Sequence, residues 1–120
     1  MNKTILLVDD NETNMMIMHE LLEFDYDVIP ALEGKFALQC AQEDKPDLIL
    51  LDLIMPGMDG FEVCSHLKAN PETASIPVVF LTGMTDEEIL EKAYELGASD
   101  FVYKPIDPEK LFSCIKKHIA

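Results

Sequence analysis

Residues 48–60 read LILLDLIMPGMDG, an apolar run that is broken by one aspartate and followed by turn-forming residues. A short apolar run bounded by proline and glycine is typical of a strand that is buried on both faces of a parallel sheet. Pro46 precedes the run, and Gly57 and Gly60 follow it. The run therefore predicts a central strand that ends near Asp52, whose carboxylate needs a partner if it lies beside the core.

Shorter apolar runs predict four more strands, and helical spacing of apolar residues predicts five helices. The strands are expected near residues 4–8, 26–29, 77–81 and 101–103, and the helices near residues 11–22, 34–44, 61–70, 85–96 and 108–119. Alternating strands and helices with short connections favour right-handed crossovers and a parallel sheet that is covered on both faces. We expect one α/β domain over residues 1–120, a flavodoxin-like doubly wound sheet of strand order 2-1-3-4-5.

Local patterns also predict details of two helices. The inward face of the second helix is expected to consist of Phe36, Ala37, Cys40 and Ala41. Thr85 and Glu88 have the spacing of a capping box at the start of the fourth helix. Gly97 is expected to end that helix as a C′ glycine.

The charge balance and the length of the apolar runs bear on partners and location. The chain has 23 acidic and 9 basic residues and a net charge of −14, so direct binding to nucleic acid is not expected. No apolar run approaches the roughly 20 residues of a membrane-spanning helix, and the N-terminus lacks a signal-peptide pattern. We therefore expect a cytoplasmic protein that does not contact a membrane. A domain that belongs to a membrane protein would show the same pattern.

The cysteines and histidines carry no recognisable ligand pattern in the sequence. An odd number of cysteines without ligand-like spacing argues against a disulfide framework, and we expect small buried side chains at Cys40, Cys64 and Cys114. Surface positions without a ligand or nucleophile role are expected for His19, His66 and His118.

Polar residues follow four of the predicted strands. Asp9 and Asp10 follow the first strand, Asp52 the third, Thr82 the fourth and Lys104 the fifth. Ligands of open α/β sheets bind beyond the carboxyl ends of the strands, so these five side chains are expected to form one site.

The residue types at this predicted site indicate phosphoryl transfer. Three carboxylates held close together repel one another unless they are protonated or bind a cation, and an all-oxygen site favours Mg²⁺ over Ca²⁺. A lysine and a threonine hydroxyl suit phosphoryl oxygens, with Asp52 as the acceptor nucleophile. Since the chain lacks a glycine-rich phosphate loop, the donor is not expected to be a nucleotide held by this domain.

These motifs resemble those of receiver domains of two-component response regulators, of the chemotaxis-regulator type, over essentially the whole chain. The resemblance rests on the acidic doublet Asp9-Asp10, on Asp52 with the loop Met55–Gly60, on Thr82-Gly83 and on Lys104-Pro105. Three positions before the lysine, where the family has a switch aromatic that is commonly tyrosine, stands Phe101. Phenylalanine lacks the hydroxyl, so a switch that uses this group for hydrogen bonding is not expected here.

The resemblance implies a phosphoacceptor switch of a two-component or phosphorelay system. A histidine kinase or a histidine phosphotransfer protein would phosphorylate Asp52, and Thr82 and Phe101 would respond at the face formed by helix 4, strand 5 and helix 5. The family pattern implies Mg²⁺ ligation by Asp10, by Asp52 and by the backbone carbonyl of Ile54.

By the same resemblance, Asp9 would reach the ion through water, the Lys104-Pro105 peptide bond would be cis, and Ile54 and Met84 would flank the hydrolytic water. An attached output domain or a phosphorylation-dependent homodimer would be a further partner. Enzymatic turnover is not implied beyond self-catalysed phosphoryl transfer and slow autodephosphorylation.

Two alternatives compete with the switch. A phosphatase of the haloacid-dehalogenase type also uses an aspartate nucleophile, but the second aspartate of its Asp-x-Asp pattern is replaced here by Ile54, and the chain is too short for a cap domain. A degenerate receiver that serves only for docking is disfavoured because the acidic residues, Thr82 and Lys104 are all present.

Overall fold

Five parallel strands form one sheet in the order β2-β1-β3-β4-β5, which confirms the predicted topology. The computed structural model describes residues 2–119, so the predicted domain extends one residue beyond the described part at each end. The strands are β1 (Thr4–Val8), β2 (Asp27–Ala31), β3 (Leu48–Asp52), β4 (Val78–Thr82) and β5 (Asp100–Tyr103). The edge strand β2 begins one residue later than predicted and continues two residues further, to Ala31. It includes Pro30, a residue that edge strands tolerate.

The helices follow the strands in alternation. They are α1 (Glu12–Leu22), α2 (Gly34–Asp44), α3 (Gly60–Ala69), α4 (Glu87–Glu95) and α5 (Pro108–Ile119). Asn11 caps α1 by accepting a hydrogen bond from the backbone N–H of Asn14 at 2.9 Å. Gly97 lies just past α4 with a φ of +105°, which confirms the predicted C′ glycine.

Two layers of helices cover the sheet, one on each face. Along β3, Ile49 and Leu51 pack into a cluster with residues of α2, α3 and α4, whereas Leu48 and Leu50 pack into a second cluster with residues of α1 and α5. Because alternate residues of β3 are buried on opposite faces, the strand is a continuous apolar run rather than an alternating one.

Two local predictions are wrong. Phe36 is 46% exposed and lines an apolar surface groove with Met16 and Leu32, while the buried positions of α2 are Gly34, Ala37, Cys40 and Ala41. The N-cap of α4 is Asp86 rather than Thr85. The Asp86 carboxylate accepts a hydrogen bond from the backbone N–H of Glu88 at 2.9 Å, because aspartate caps at least as well as threonine and the helix begins one residue later.

The three cysteines are buried free thiols, as predicted. His66 is exposed, whereas His19 and His118 are half-buried. Within residues 2–119, none of the helices combines the length and the apolar character needed to cross a membrane.

Candidate functional site

The carboxyl ends of β1 and β3 bring three aspartates together. Asp9, Asp10 and Asp52 each offer a carboxylate oxygen within 4.8 Å of the others. Asp9 is 2% exposed and Asp52 is 6% exposed, while Asp10 is open to solvent. The predicted acidic cluster therefore exists, and it opens to solvent on the side of Asp10.

Backbone hydrogen bonds hold the two buried aspartates in place. The N–H of Asp9 donates to the carbonyl of Ala31 at the end of β2 at 3.1 Å, and Asp9 Oδ1 accepts from the N–H of Asn11 at 2.9 Å. After Asp52, the N–H of Leu53 donates to the carbonyl of Leu81 at 3.2 Å. These contacts extend the pairing of the sheet into the site.

Gly60 permits the close return of the chain after Asp52. Its N–H donates to the carbonyl of Leu53 at 2.9 Å. A Cβ at this position would lie 2.6 Å from the backbone oxygen of Asp52 and 2.8 Å from Cα of Leu53. Only glycine allows α3 to begin this close to the acidic cluster.

Lys104 is the counter-ion of the buried aspartates. Its Nζ donates to Asp52 Oδ1 at 3.1 Å and lies 4.0 Å from Asp9 Oδ2. The N–H of Lys104 donates to the carbonyl of Thr82 at 2.8 Å, and the Lys104-Pro105 peptide bond is cis, as the family pattern implied.

Burial dominates the electrostatics of Asp52. Desolvation raises the pKa of the Asp52 carboxyl, and the charges of Asp9 and Asp10 raise it further. The hydrogen bond and the positive charge of Lys104 lower the pKa but do not offset the burial. Lys104 therefore does not fully balance the negative charge of ionised Asp52, and this favours the approach of an additional cation.

Thr82 ends β4 beside Asp52. Asp52 is in register with Leu81 on the neighbouring strand, so Thr82 lies one residue further along. Thr82 is buried, and its Oγ1 accepts a hydrogen bond from the N–H of Met84 at 3.0 Å. The hydroxyl retains its own proton for donation to another group.

Phe101 packs in a stack of aromatic rings on the face of the sheet that also carries the Thr82 side chain. Its ring is stacked on Phe80 with centroids 5.8 Å apart and meets the ring of Tyr94 edge-on at 5.0 Å. Phe80 is in register with Phe101, and two residues further along Thr82 is in register with Tyr103. Since strand residues two apart share a face, Phe101 and Thr82 lie on the same face of the sheet.

Two apolar side chains lie in the loops that follow Asp52 and Thr82. Ile54 is 59% exposed and Met84 is 37% exposed. Ile54 stands two residues after Asp52 and Met84 two residues after Thr82, so both belong to loops at the site end of the sheet.

The structure adds residues that the sequence patterns did not assign. A cavity of about 190 Å³ adjoins Asp9 and Lys104 and is also lined by Asn14 and Ile106. Asn14 lies in the first turn of the helix that follows the acidic doublet, and Ile106 directly follows Lys104-Pro105. Both residues stand close in sequence to these motifs, and this closeness was the sequence feature that could have assigned them to the site.

The donor set fits a hard divalent cation. The cluster offers only carboxylate oxygens, two from buried residues and one from an exposed residue. Oxygen ligands are preferred by Mg²⁺ and Ca²⁺, and an exposed side leaves room for waters. With a lysine beside the central carboxylate, such a site is suited to holding a phosphoryl group.

The sequence and the fold both match known proteins. The family model of the response regulator receiver domain matches residues 5–116. The chain belongs to this family. The response regulator PleD of Caulobacter vibrioides is 45% identical over 117 residues, which cover 97% of this receiver domain and 26% of PleD. The chain thus spans about a quarter of the length of that relative.

Solved structures of receiver domains superpose closely on this one. The chemotaxis protein CheY4 of Vibrio cholerae has a TM-score of 0.93 at 28% identity, covering 98% of this chain and 99% of that chain. The receiver domain of sensor histidine kinase PA1611 from Pseudomonas aeruginosa PAO1 has a TM-score of 0.91 at 26% identity, covering 99% of this chain and 98% of that chain. A magnesium ion is coordinated in the active-site cleft of the PA1611 domain. The predicted family and fold are therefore confirmed.

Proposed function

We propose that residues 1–120 form a phosphoacceptor switch that accepts a phosphoryl group on Asp52 from a histidine kinase or a histidine phosphotransfer protein. The observation that carries this proposal is the contact of Lys104 Nζ with the buried carboxylate of Asp52, at 3.1 Å, inside a cluster of three aspartates. A structural ion pair would need only one carboxylate, whereas the second and third carboxylates add a repulsion that a bound cation would relieve.

The transfer step uses Asp52 as the nucleophile. A carboxylate oxygen of Asp52 attacks the phosphorus of the partner's phosphohistidine, the P–O bond forms, and the P–N bond breaks. The electron pair of the broken bond stays on the imidazole, which takes a proton from solvent. Lys104 would neutralise one phosphoryl oxygen, and the Thr82 hydroxyl would donate a hydrogen bond to another.

The acidic cluster is the proposed Mg²⁺ site. Asp10, Asp52 and the backbone carbonyl of Ile54 would ligate the ion directly, and Asp9 would contact it through water. Bound Mg²⁺ supplies positive charge to the transferring phosphoryl group. The magnesium ion in the cleft of the related PA1611 receiver domain supports this assignment.

The proposed output surface is the face formed by α4, β5 and α5. When the Thr82 hydroxyl moves toward the phosphoryl group, the space it leaves admits the ring of Phe101, which lies on the same face of the sheet. Phe101 contacts Tyr94 of α4, so its movement would change the packing of α4 against β5. The phosphoryl group contacts Thr82 and Lys104 differently in the two states, as such coupling requires.

Downstream, we propose that this face contacts an output domain or a second phosphorylated copy. The chain spans 26% of PleD, so a longer protein that contains it would carry its output elsewhere. The charge of −14 argues against direct contact of this domain with nucleic acid. We place the domain in the cytoplasm, where a histidine kinase can reach it.

Phosphorylation with a small-molecule donor tests the proposal. The chain is incubated with acetyl phosphate or phosphoramidate and Mg²⁺, and intact mass is measured. We expect one phosphate per chain, lost in Asp52→Asn and strongly reduced in Asp10→Ala. The matched control is Asp59→Asn, since Asp59 caps α3 after the same loop and asparagine is an equally good N-cap.

The same experiment separates the switch from an enzyme and from a docking domain. Stoichiometric labelling that is stable in acid and labile in base supports an aspartyl phosphate on a switch. Continuous turnover of a small phosphate ester would favour a phosphatase, and no labelling at all would favour a domain that only docks. Full labelling of Asp52→Asn would disprove the assignment of the acceptor.

A further inference from the structure

A second group of potential metal ligands lies where β5 meets α5. Asp100, Cys114 and His118 each offer one ligand atom, and these atoms lie within 4.8 Å of one another. His118 Nε2 is 3.1 Å from Asp100 Oδ2. Cys114 and His118 are four residues apart on α5, so they lie on the same face of that helix.

Local structure orients the Asp100 carboxylate toward the helix. Asp100 Oδ1 accepts a hydrogen bond from the N–H of Phe101 at 2.8 Å, which leaves Oδ2 directed to α5. Lys117 Nζ also lies 3.7 Å from Oδ2, but its side chain is mostly exposed. The carboxylate is thus held in one orientation by the backbone, as the ligands of a metal site usually are.

This cluster is separate from the phosphoacceptor site. Asp100 begins β5, whereas Lys104 follows the other end of the same strand. The two groups of side chains therefore lie at opposite ends of the sheet. Cys114 is buried, and Asp100 and His118 are half-buried, so the cluster is accessible to an ion from solvent.

We propose that Asp100, Cys114 and His118 bind one Zn²⁺ ion, with the fourth coordination position open to water. A thiolate, an imidazole and a carboxylate are the three ligand types that zinc takes in proteins. Mg²⁺ and Ca²⁺ prefer sites made only of oxygen, so this cluster and the three-aspartate cluster select different ions. The thiolate and carboxylate charges match the charge of the divalent ion.

The distances are compatible with this assignment. Ligand bonds of about 2.0–2.3 Å to a tetrahedral zinc place the ligand atoms roughly 3.3–3.8 Å apart. The present separations, 3.1 Å for one pair and at most 4.8 Å for the others, require only small side-chain rotations. Binding replaces the thiol proton of Cys114 by zinc: the S–H bond breaks, the S–Zn bond forms, and the proton goes to solvent.

A reactive thiol is the competing explanation of the cluster, and the electrostatics argue against it. Burial and the neighbouring Asp100 raise the pKa of the Cys114 thiol to about 12. A thiol with such a pKa is protonated at neutral pH and is a poor nucleophile. Without a metal the Asp100 carboxylate stabilises the protonated thiol, and a bound zinc ion would take the place of the thiol proton between the two groups.

Titration of the reduced, unphosphorylated chain with Zn²⁺ and Co²⁺ tests the proposal. Excess Mg²⁺ is included so that the three-aspartate cluster does not compete for the added ion. We expect one Zn²⁺ per chain by calorimetry and a Co²⁺ complex with the intense absorption of a sulfur-to-cobalt charge transfer. Zinc should also raise the melting temperature, since it binds only the native arrangement.

Three variants and two matched controls assign the ligands. Cys114→Ser, His118→Gln and Asp100→Asn are each expected to weaken zinc binding roughly tenfold or more. Cys40→Ser replaces a similarly buried thiol outside the cluster. His19→Gln removes a histidine that pairs with Glu23 at 3.3 Å in the same four-residue spacing. Both controls should bind zinc with unchanged affinity.

Circular dichroism establishes that each variant is folded. If Cys114→Ser does not fold, the half-buried His118→Gln at the end of α5 decides the question. Zinc affinity that is unchanged in His118→Gln, or a cobalt complex without sulfur charge transfer, would overturn the proposal. Loss of zinc binding in His19→Gln would instead assign the ion to the His19–Glu23 pair.

Discussion

Lys104 Nζ lies 3.1 Å from Asp52 Oδ1, so the proposed phosphoacceptor is paired with the lysine that is also proposed to neutralise an oxygen of the phosphoryl group. The same ammonium lies 4.0 Å from Asp9 Oδ2. One positive charge therefore serves two buried carboxylates. It opposes the binding of a second cation to the cluster, yet in the proposed switch it would offset the negative charge that the phosphoryl group adds.

Replacing Lys104 should separate these two effects. In Lys104→Met, Mg²⁺ is expected to bind at least about fivefold more tightly, because ~1 kcal/mol or more of repulsion is removed. Phosphorylation by acetyl phosphate should nevertheless slow by roughly 100-fold, because a charged donor to the phosphoryl oxygens is lost. Titration calorimetry and intact mass measure the two quantities. Lys110→Met, at an exposed position of α5, is the control, and parallel losses of both properties would contradict the prediction.

Neutralising Asp52 should stabilise the fold in the absence of a cation. Because burial raises the pKa of Asp52, its ionised form destabilises the native state. The penalty is absent below the ordinary aspartate pKa of about 3.9, develops as the pH rises toward the raised value, and is constant above it. Asp52→Asn should therefore raise the melting temperature by a few degrees near pH 7, and less near pH 4.

Metal provides the control for that prediction. Saturating Mg²⁺ should stabilise the native chain, since the ion binds only the folded state. It should therefore reduce or reverse the higher melting temperature of Asp52→Asn. Asp59→Asn, which alters a helix cap outside the cluster, should show no such pH dependence. A melting temperature of Asp52→Asn below that of the native chain at pH 7 without metal would refute the electrostatic argument.

Alanine substitutions at Gly60 and Gly83 test whether the loop after β3 requires glycine. Gly60 ends that loop, and Gly83, which follows β4, is the control. In Gly60→Ala the added Cβ would meet backbone atoms at 2.6 and 2.8 Å, so α3 must shift, at a cost of about 1–3 kcal/mol. In Gly83→Ala the nearest atom is Cβ of Lys104 at 4.0 Å, and the change should be within about 0.5 kcal/mol. Urea denaturation measures both. Equal stability of the two variants would show that the loop relaxes without cost.

The strand ends were predictable from the sequence, but the contacts between them were not. Each strand is a short apolar run. The polar residue that ends a run, such as Asp52 or Lys104, therefore had to lie at the carboxyl end of its strand. The 3.1 Å contact between these two residues depends on the pairing of β3, β4 and β5 and on the loops that follow them. A periodic pattern carries no information at that scale.

Helix faces were less predictable because apolar spacing does not say which neighbour a face meets. Phe36 has the spacing of a core residue, but it packs in a surface groove beside Met16. The cluster of Asp100, Cys114 and His118 was missed for a related reason. Only the four-residue spacing of Cys114 and His118 was visible in the sequence, and the third group comes from a strand.

Phosphorylation of Asp52 should change the conformation of α4, β5 and α5. We expect amide chemical shifts to change from Thr82 to Tyr103 as well as around Asp52 when acetyl phosphate and Mg²⁺ are added. In Thr82→Ala, labelling of Asp52 should persist while the changes near Phe101 diminish, because the hydroxyl that moves is absent. Shift changes confined to the surroundings of Asp52 in the native chain would contradict the proposed output face.

The lifetime of the phosphorylated state should depend on Ile54 and Met84. Hydrolysis of an aspartyl phosphate needs a water in line with the phosphorus, on the side opposite the Asp52 oxygen. Both side chains are apolar and partly exposed in the loops that follow Asp52 and Thr82. Neither can orient a water by hydrogen bonding, and both can obstruct its approach, so positioning is lost while the charge of Lys104 remains.

Polar substitutions should therefore shorten that lifetime. Ile54→Asn and Met84→Glu are each expected to speed dephosphorylation severalfold, and together about tenfold or more, which corresponds to ~1.4 kcal/mol of activation free energy. Loss of the phosphorylated mass is followed at saturating Mg²⁺ after the donor is removed. Ile54→Val and Met84→Leu keep the apolar character and should leave the rate nearly unchanged. If the polar and apolar variants decay at the same rate, these side chains only pack at the rim of the site and do not control access of water.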